Sequence, residues 1–101
     1  MRCDQTPAWK ALTAHANEAK GFDLRTAFAQ DANRVQHLSQ NAPHVFADLS
    51  KNHVDVATEA LLLDLAQQTG LSAHRDAMFR GERINNTEDR AVMHWLLRQP
   101  E

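Results

Sequence analysis

This 101-residue chain contains six histidines and a single cysteine. Histidine is therefore the first residue type to consider as a metal ligand. Helical metal sites place their ligands three or four residues apart. No two of these histidines have that spacing. The sequence therefore predicts no metal site, and His94, between apolar neighbours, is predicted to be buried and hydrogen-bonded. The other histidines are interpreted as surface or interface residues: His15, His37, His44, His53 and His74.

A nucleophilic or acid–base site is not predicted either. Cys3 stands near the N-terminus, where fraying is expected. Glu82, Glu88 and Asp89 form a group of carboxylates, but a helix dipole explains acidic residues at a helix start. The serines stand in contexts typical of turns and caps: Ser39, Ser50 and Ser72.

Two arginines near the end of the chain could bind a phosphate. Arg83 and Arg90 flank a predicted helix start. For Arg90 we favour an ion pair with a nearby carboxylate such as Glu88 or Asp76, which would lock that junction. No glycine-rich phosphate loop accompanies them in the sequence.

Length and composition indicate an ordinary globular chain with one modest core. Hydrophobic residues make up 43% and charged residues 24%, and the formal net charge is -2, which disfavours nucleic-acid binding. The single cysteine cannot form an internal disulfide and suits a reducing compartment. No apolar run approaches the ~20 residues of a membrane span. We expect no signal peptide, no membrane association and a cytoplasmic location.

Local patterns predict a mainly α chain with a short β-hairpin, an α+β arrangement. Thr6 before Pro7 is typical of a helix start, and Asp55 is suited to cap another helix. Gly81 is expected to end a helix with a positive φ angle. The predicted helices span about 7–20, 23–32, 56–69, 73–80 and 88–98, and the hairpin spans about 35–49.

Three finer predictions concern turns and caps. In the hairpin, 35–39 and 45–49 are the predicted strands and 40–43 the turn. Lys51 and Asn52 follow it and could contact a ligand or a neighbouring segment, although a loop-fixing role is favoured. The remaining predictions are caps: Ser72 for the helix at 73–80, and Asn85, Asn86 and Thr87 for the helix at 88–98.

Two predicted helices are apolar on nearly all sides, around 61–65 and 92–97. Such helices need burial all round, and a domain of this size has too little interior for both. We expect the chain to be a piece of a larger protein whose later sequence covers these helices. The alternative is a small helical domain that dimerises through one exposed patch.

The chain also resembles a known family. Residues 75–94 follow the pattern Arg-Asp-Ala-Met-Phe-x-Gly-Glu-x-Ile-Asn-x-Thr-Glu-x-Arg-Ala-Val-x-His, which is similar to the N-terminal part of the glucose-6-phosphate isomerase family. Residues 48–52 resemble the family string Asp-Tyr-Ser-Lys-Asn, with Leu49 in place of tyrosine. Weaker matches lie in the first two predicted helices: Trp9, Leu12, His15, Leu24, Phe28, Asp31 and Arg34.

This resemblance implies an enzyme that interconverts glucose 6-phosphate and fructose 6-phosphate through an enediol. It implies general acid–base catalysis without a cofactor, and a homodimer built on two α/β/α sandwich (SIS-type) domains. None of the family's catalytic or phosphate-binding motifs lies within residues 1–101, so we assign no catalytic, substrate-binding or metal residue here. The segment is expected to be an inactive, structural N-terminal piece that ends before the sugar-phosphate-binding domains. The alternative is an independent helical interaction module.

Overall fold

The computed structural model describes residues 2–99 of the chain. These residues are mainly α-helical with one short antiparallel hairpin, as the sequence predicts. In chain order the elements are a 3₁₀ turn (Cys3–Gln5), α1 (Pro7–Glu18), α2 (Leu24–Gln30), α3 (Arg34–His37), β1 (Ser39–Ala42), β2 (Val45–Asp48), α4 (Val56–Gln68), α5 (Leu71–Phe79) and a second 3₁₀ turn (His94–Arg98).

The predicted caps of α1 and α4 are present. The Thr6 hydroxyl accepts a hydrogen bond from the Trp9 N–H at 3.1 Å, with Pro7 as the first helical residue. At the start of α4, Asp55 and Thr58 form a reciprocal capping box. These side chains satisfy amides that have no partner within the helix, so both helices begin at defined residues.

Helices α1 and α4 pack as an antiparallel pair, which carries the main tertiary contact of the chain. At one end the Ala8 N–H donates to Gln68 Oε1 at 2.9 Å, and at the other His15 meets Thr58. Ala8 and Leu38 are the buried hydrophobic residues among those described. The hydrophobic core of the described residues is therefore very small.

The hairpin is shorter than predicted, and its first strand begins later in the chain. β1 pairs with β2 from Ser39↔Asp48 to Ala42↔Val45, so the turn lies at 43–44 and not at 40–43. His44 has φ +63°, the left-handed conformation that closes this tight turn. The strand predicted at 35–39 is wrong because residues 34–37 form the helical turn α3.

Gly70 and Gly81 both have a positive φ, of +74° and +75°. At Gly81 the chain leaves α5 in a Schellman motif, since the Gly81 N–H donates to Met78 O and the Glu82 N–H to Ala77 O. The predicted cap at Ser72 is wrong. Gly70 is the N-cap residue, and Ser72 already lies inside the first turn of α5.

The helix predicted at 88–98 is absent from the structure. Asn85 and Arg90 instead exchange two backbone hydrogen bonds, 3.1 and 3.3 Å long, across a tight turn. Asp89 in that turn has φ +53°, which a helix cannot accommodate. The Asn85 side chain accepts from Thr87, so Thr87 caps no helix. Only His94–Arg98 is helical, as a 3₁₀ turn.

The described chain is flat and open. Its radius of gyration is 17.6 Å, whereas a compact chain of this length has about 13 Å. Its accessible surface is 8186 Å², against roughly 5,800 Å² for a compact monomer of this mass. Both apolar segments remain uncovered within the described residues, as expected from the sequence. The exposed side chains include Val45, Phe46, Leu62, Leu63, Leu96 and Leu97.

Candidate functional site

The most constrained polar group is the Arg34 guanidinium, which is 4% exposed. Its Nε donates to Ser50 O at 2.8 Å, and its Nη2 donates to Asn52 O at 2.9 Å and to Val54 O at 2.8 Å. These carbonyls belong to the 50–54 loop, which joins β2 to the cap of α4. Arg34 therefore connects α3 to the loop that separates the hairpin from the helical pair.

Aromatic rings complete the surroundings of Arg34. Its Cζ lies 5.5 Å from the ring centroid of Phe22 and 5.5 Å from that of Phe28. Cation–π attraction of this kind offsets part of the cost of removing a charge from water. The Phe22 ring also stacks against the His53 imidazole, with centroids 5.2 Å apart. Arg34, Phe22 and the 50–54 loop thus form one connected cluster.

Asp48 fixes the entry to the same loop. Its Oδ1 accepts from the Ser50 N–H at 2.8 Å and its Oδ2 accepts from Lys51 Nζ at 3.1 Å. The Ser50 hydroxyl lies beside the same carboxylate, but has no partner in hydrogen-bond geometry among the described residues. The Ser50 hydroxyl, the Ser50 N–H and the Lys51 ammonium lower the pKa of Asp48 to about 2.

His15 contacts the residues that follow the 50–54 loop, at the start of α4. Its Nε2 lies 2.8 Å from Thr58 Oγ1 and 3.3 Å from Asp55 Oδ1. The Thr58 hydroxyl donates to Asp55 Oδ1 at 2.7 Å, so its oxygen accepts and His15 Nε2 carries the proton. Burial raises the pKa of Asp55, but bonds from Thr58 and the nearby His15 bring it below its usual value.

A groove of about 410 Å³ opens beside this cluster, between α1, α2 and the start of α4. Acidic side chains and one imidazole line it, with no lysine or arginine among the described lining residues. A phosphate ester requires cationic or clustered N–H donors. The groove is therefore a poor site for a sugar phosphate. Its polar and aromatic lining includes His15, Glu18, Phe22, Asp23 and Asp55.

The structure does not bring the sequence's candidate residues together. Arg83 pairs with Asp89 at 2.8 Å, while Arg90 contributes its backbone to the Asn85 bridge. His94 is exposed, so its predicted burial is wrong: the helix that would have buried it does not form. Cys3 is exposed and free. Residues 2–99 contain no group of three or more histidine, cysteine, aspartate or glutamate side chains that could hold a metal.

Asn52 contacts Arg34 through its backbone, whereas Lys51 contacts Asp48 through its side chain. Their side chains are exposed, and the Asn52 carbonyl is one of the three that Arg34 binds. The importance of Arg34 could not be deduced from local pattern, because a lone arginine after a helix is usually at the surface. Its only signal in the sequence is its match to the family pattern.

Comparison with known proteins shows the family to which the chain belongs. The profile of the family described as Phosphoglucose isomerase matches residues 48–101, just over half of the chain. The chain belongs to this family. Residues 48–101 include the 50–54 loop, α4, α5 and the Asn85–Arg90 bridge, whereas Arg34 and Phe22 lie before the matched region.

Curated relatives extend the similarity beyond that match. The chain is 66% identical over 100 residues to "Glucose-6-phosphate isomerase" of Albidiferax ferrireducens, covering 98% of this chain and 19% of the relative. It is 63% identical over 101 residues to the protein of the same name from Polaromonas naphthalenivorans, covering 99% and 19%. For the Deinococcus radiodurans protein the identity is 48% over 99 residues, covering 98% and 18%.

The chain spans about a fifth of the length of these relatives, which are each named as an isomerase. Among residues 2–99, no helix combines the length and the apolar character needed to cross a bilayer. The family is thus established, whereas the activity of a whole protein that contains this segment is a matter of proposal.

Proposed function

We propose that this segment belongs to a glucose-6-phosphate isomerase, which interconverts glucose 6-phosphate and fructose 6-phosphate in glycolysis and gluconeogenesis. The observation that carries the proposal is 66% identity to a protein of that name over 98% of the chain. The reaction moves a proton between two adjacent sugar carbons through an enediol. General acid–base groups perform it without a metal or an organic cofactor.

The role of residues 1–101 in this enzyme is structural. We assign them no catalytic or substrate-binding residue and regard them as an N-terminal helical segment that precedes the sugar-phosphate-binding α/β/α domains. The acidic lining of the groove beside α1 supports this assignment, because it would repel a phosphate. The remainder of the enzyme is the natural partner of the exposed apolar side chains.

Two further properties belong to the same proposal. The whole enzyme acts as a homodimer, and it works in the cytoplasm, in keeping with a chain that has one cysteine. We also propose that the segment binds neither nucleic acid nor a membrane, in keeping with its net charge of -2.

A chimera tests this function. Residues 1–101 replace the matching region of the Albidiferax ferrireducens enzyme, and isomerase turnover is measured with a coupled assay in both directions. We expect turnover close to that of the parent enzyme, and none from the 101-residue chain alone. The matched control is the parent enzyme with its matching region deleted, which should be inactive.

Two outcomes would count against the proposal. A folded, dimeric chimera without turnover would contradict the assignment to a working isomerase. Turnover by the isolated 101-residue chain would contradict the assignment of catalysis to the rest of the enzyme. Size-exclusion chromatography and circular dichroism of each sample separate a failure to fold from a failure to catalyse.

A further inference from the structure

We propose that Arg34 is a positioning residue that fixes the backbone of the 50–54 loop and, through Phe22, the place of the His53 imidazole. The names of the relatives assign no such role. The inference rests on the contacts of Arg34 and does not depend on which reaction the whole enzyme performs.

The three carbonyls bound by Arg34 belong to alternate residues, Ser50, Asn52 and Val54. They follow Arg34 by 16, 18 and 20 positions. The loop is neither helix nor strand, and its short-range backbone bonds are few: Asn52 N–H to Leu49 O and Val54 N–H to Asn52 O. Arg34 therefore supplies most of the long-range hydrogen bonding that holds the loop in place.

The burial of Arg34 needs a reason, because an apolar side chain would fill the same space without desolvating a charge. None of the ion pairs formed by residues 2–99 includes Arg34. Its hydrogen bonds go to loop carbonyls, and its Cζ lies over the rings of Phe22 and Phe28. Holding those carbonyls is thus the contribution that only a cation with several donors can make at this position.

The identity of the cation also matters. A guanidinium presents several N–H donors in a rigid planar fork, whereas an ammonium is a compact point charge on a flexible stem. Here Nε donates to one carbonyl and Nη2 donates to two, while Cζ lies 5.5 Å from each of two ring centroids. A lysine at this position could form only some of these contacts. We therefore expect Arg34→Lys not to restore the function of the arginine.

Phe22 carries the effect of Arg34 to the surface. The centroid of its ring lies 5.5 Å from Arg34 Cζ and 5.2 Å from the centroid of the His53 imidazole, whose plane is tilted by 34° to it. His53 is exposed, as is Lys51 on the same loop. A rigid backbone and a stacked ring together give the exposed imidazole one defined location, instead of the many that an unrestrained loop would allow.

Hydrogen exchange and NMR test the proposal in the 101-residue chain and in the chimera described above. The variants are Arg34→Ala, Arg34→Lys and the control Arg25→Ala, whose side chain is 96% exposed. In Arg34→Ala, protection of the Asn52 and Val54 amides should fall by roughly 10- to 100-fold, the effect of losing hydrogen bonds from a charged donor. The His53 ring signals should lose the shift caused by Phe22. Arg25→Ala should leave both readouts unchanged.

Chemical rescue distinguishes positioning from general stability. Ethylguanidinium at tens of millimolar, added to Arg34→Ala, should restore amide protection and the His53 signals, whereas ethylammonium should not. If Arg34→Ala fails to fold, Arg34→Lys decides: it should fold but show the same selective loss in the 50–54 loop. A second variant, Phe22→Leu, should shift the His53 signals while leaving the Asn52 amide protected.

Unchanged protection in Arg34→Ala, or full protection in Arg34→Lys, would overturn the proposal. Equal rescue by ethylammonium would do the same, because it would reduce the role of Arg34 to its charge. These readouts require no turnover. An inactive chimera with the expected exchange pattern would count against the proposed isomerase alone, and an active chimera without that pattern would count against the positioning role alone.

Discussion

The imidazole of His15 and the hydroxyl of Thr58 join the first and fourth helices, with Nε2 2.8 Å from Oγ1 across 43 positions of sequence. Thr58 already belongs to the capping box with Asp55, so one hydroxyl serves both a helix start and a tertiary contact. The first residue of α4 and one of its contacts with α1 therefore depend on the same Thr58 hydroxyl.

Removing this contact should lower stability selectively. We expect His15→Ala to reduce the free energy of unfolding by about 1 kcal/mol, the typical net value of a protein hydrogen bond. Urea denaturation in the chimera measures it. Asn17→Ala, at an exposed position on the same helix, should change the value by less than ~0.5 kcal/mol. Equal effects of the two substitutions would show that the His15 contact contributes nothing.

At the other end of the helical pair, Gln68 satisfies a buried amide. The Ala8 N–H, on a residue 1% exposed, donates to Gln68 Oε1. In Gln68→Leu this donor loses its partner, which should cost about 1–3 kcal/mol of unfolding free energy. Gln67→Leu is the matched control, since Gln67 is an exposed neighbour on the same helix. A loss of similar size in both variants would assign the effect to surface hydrophobicity instead.

The backbone at Gly81 has a cost for any other residue. Its φ is +75°, and an added Cβ would meet only Met93 atoms at 3.9–4.0 Å, an ordinary contact distance. The penalty of Gly81→Ala is therefore conformational and should be about 1–2 kcal/mol. Gly21→Ala has open space around it and no positive φ. Thermal unfolding should place Gly21→Ala near the parent protein and Gly81→Ala clearly below it.

The carboxylate of Asp48 should make stability depend on acid pH. Its pKa is lowered from 3.8 to about 2 in the folded chain. A group whose folded pKa is depressed stabilises the fold above its unfolded pKa, and this contribution disappears as pH falls through the folded value. Asp48→Asn should therefore melt below the parent at pH 7, and the difference should shrink between pH ~4 and ~2. Melting curves of both proteins across this range measure the effect, with Asp4→Asn as an unrelated control. A constant difference would contradict the assignment.

The sequence correctly predicts helix caps and helix ends that depend on residues close together in the chain. Thr6 with Pro7, Asp55 with its helix, and Gly81 at a helix end all behave as their residue types predict. Each of these signals acts within five positions of the chain, so its outcome is set by bonds that the segment makes with itself. The Schellman motif at Gly81 belongs to the same class.

The failures lie where a distant contact or a backbone constraint overrides the local pattern. Arg34 donates to carbonyls 16–20 positions away, and residues 34–37 form α3, although a strand is predicted at 35–39. At Asp89 a positive φ ends any helix, while Asn85 and Arg90 close a turn through their backbones. Neither the three-carbonyl site nor this bridge has a signature that residue spacing alone can reveal.

The flat shape of the chain, which measures only 17 Å along its shortest axis, has a thermodynamic consequence. Heat-capacity change and denaturant sensitivity both scale with the apolar area that unfolding newly exposes. Much of that apolar area is already exposed to solvent in the folded chain. The isolated chain should therefore show a small increase in heat capacity on unfolding and a shallow, weakly cooperative urea denaturation curve. Within a whole enzyme, we expect this segment to unfold and to separate from the rest of the protein in a single calorimetric transition.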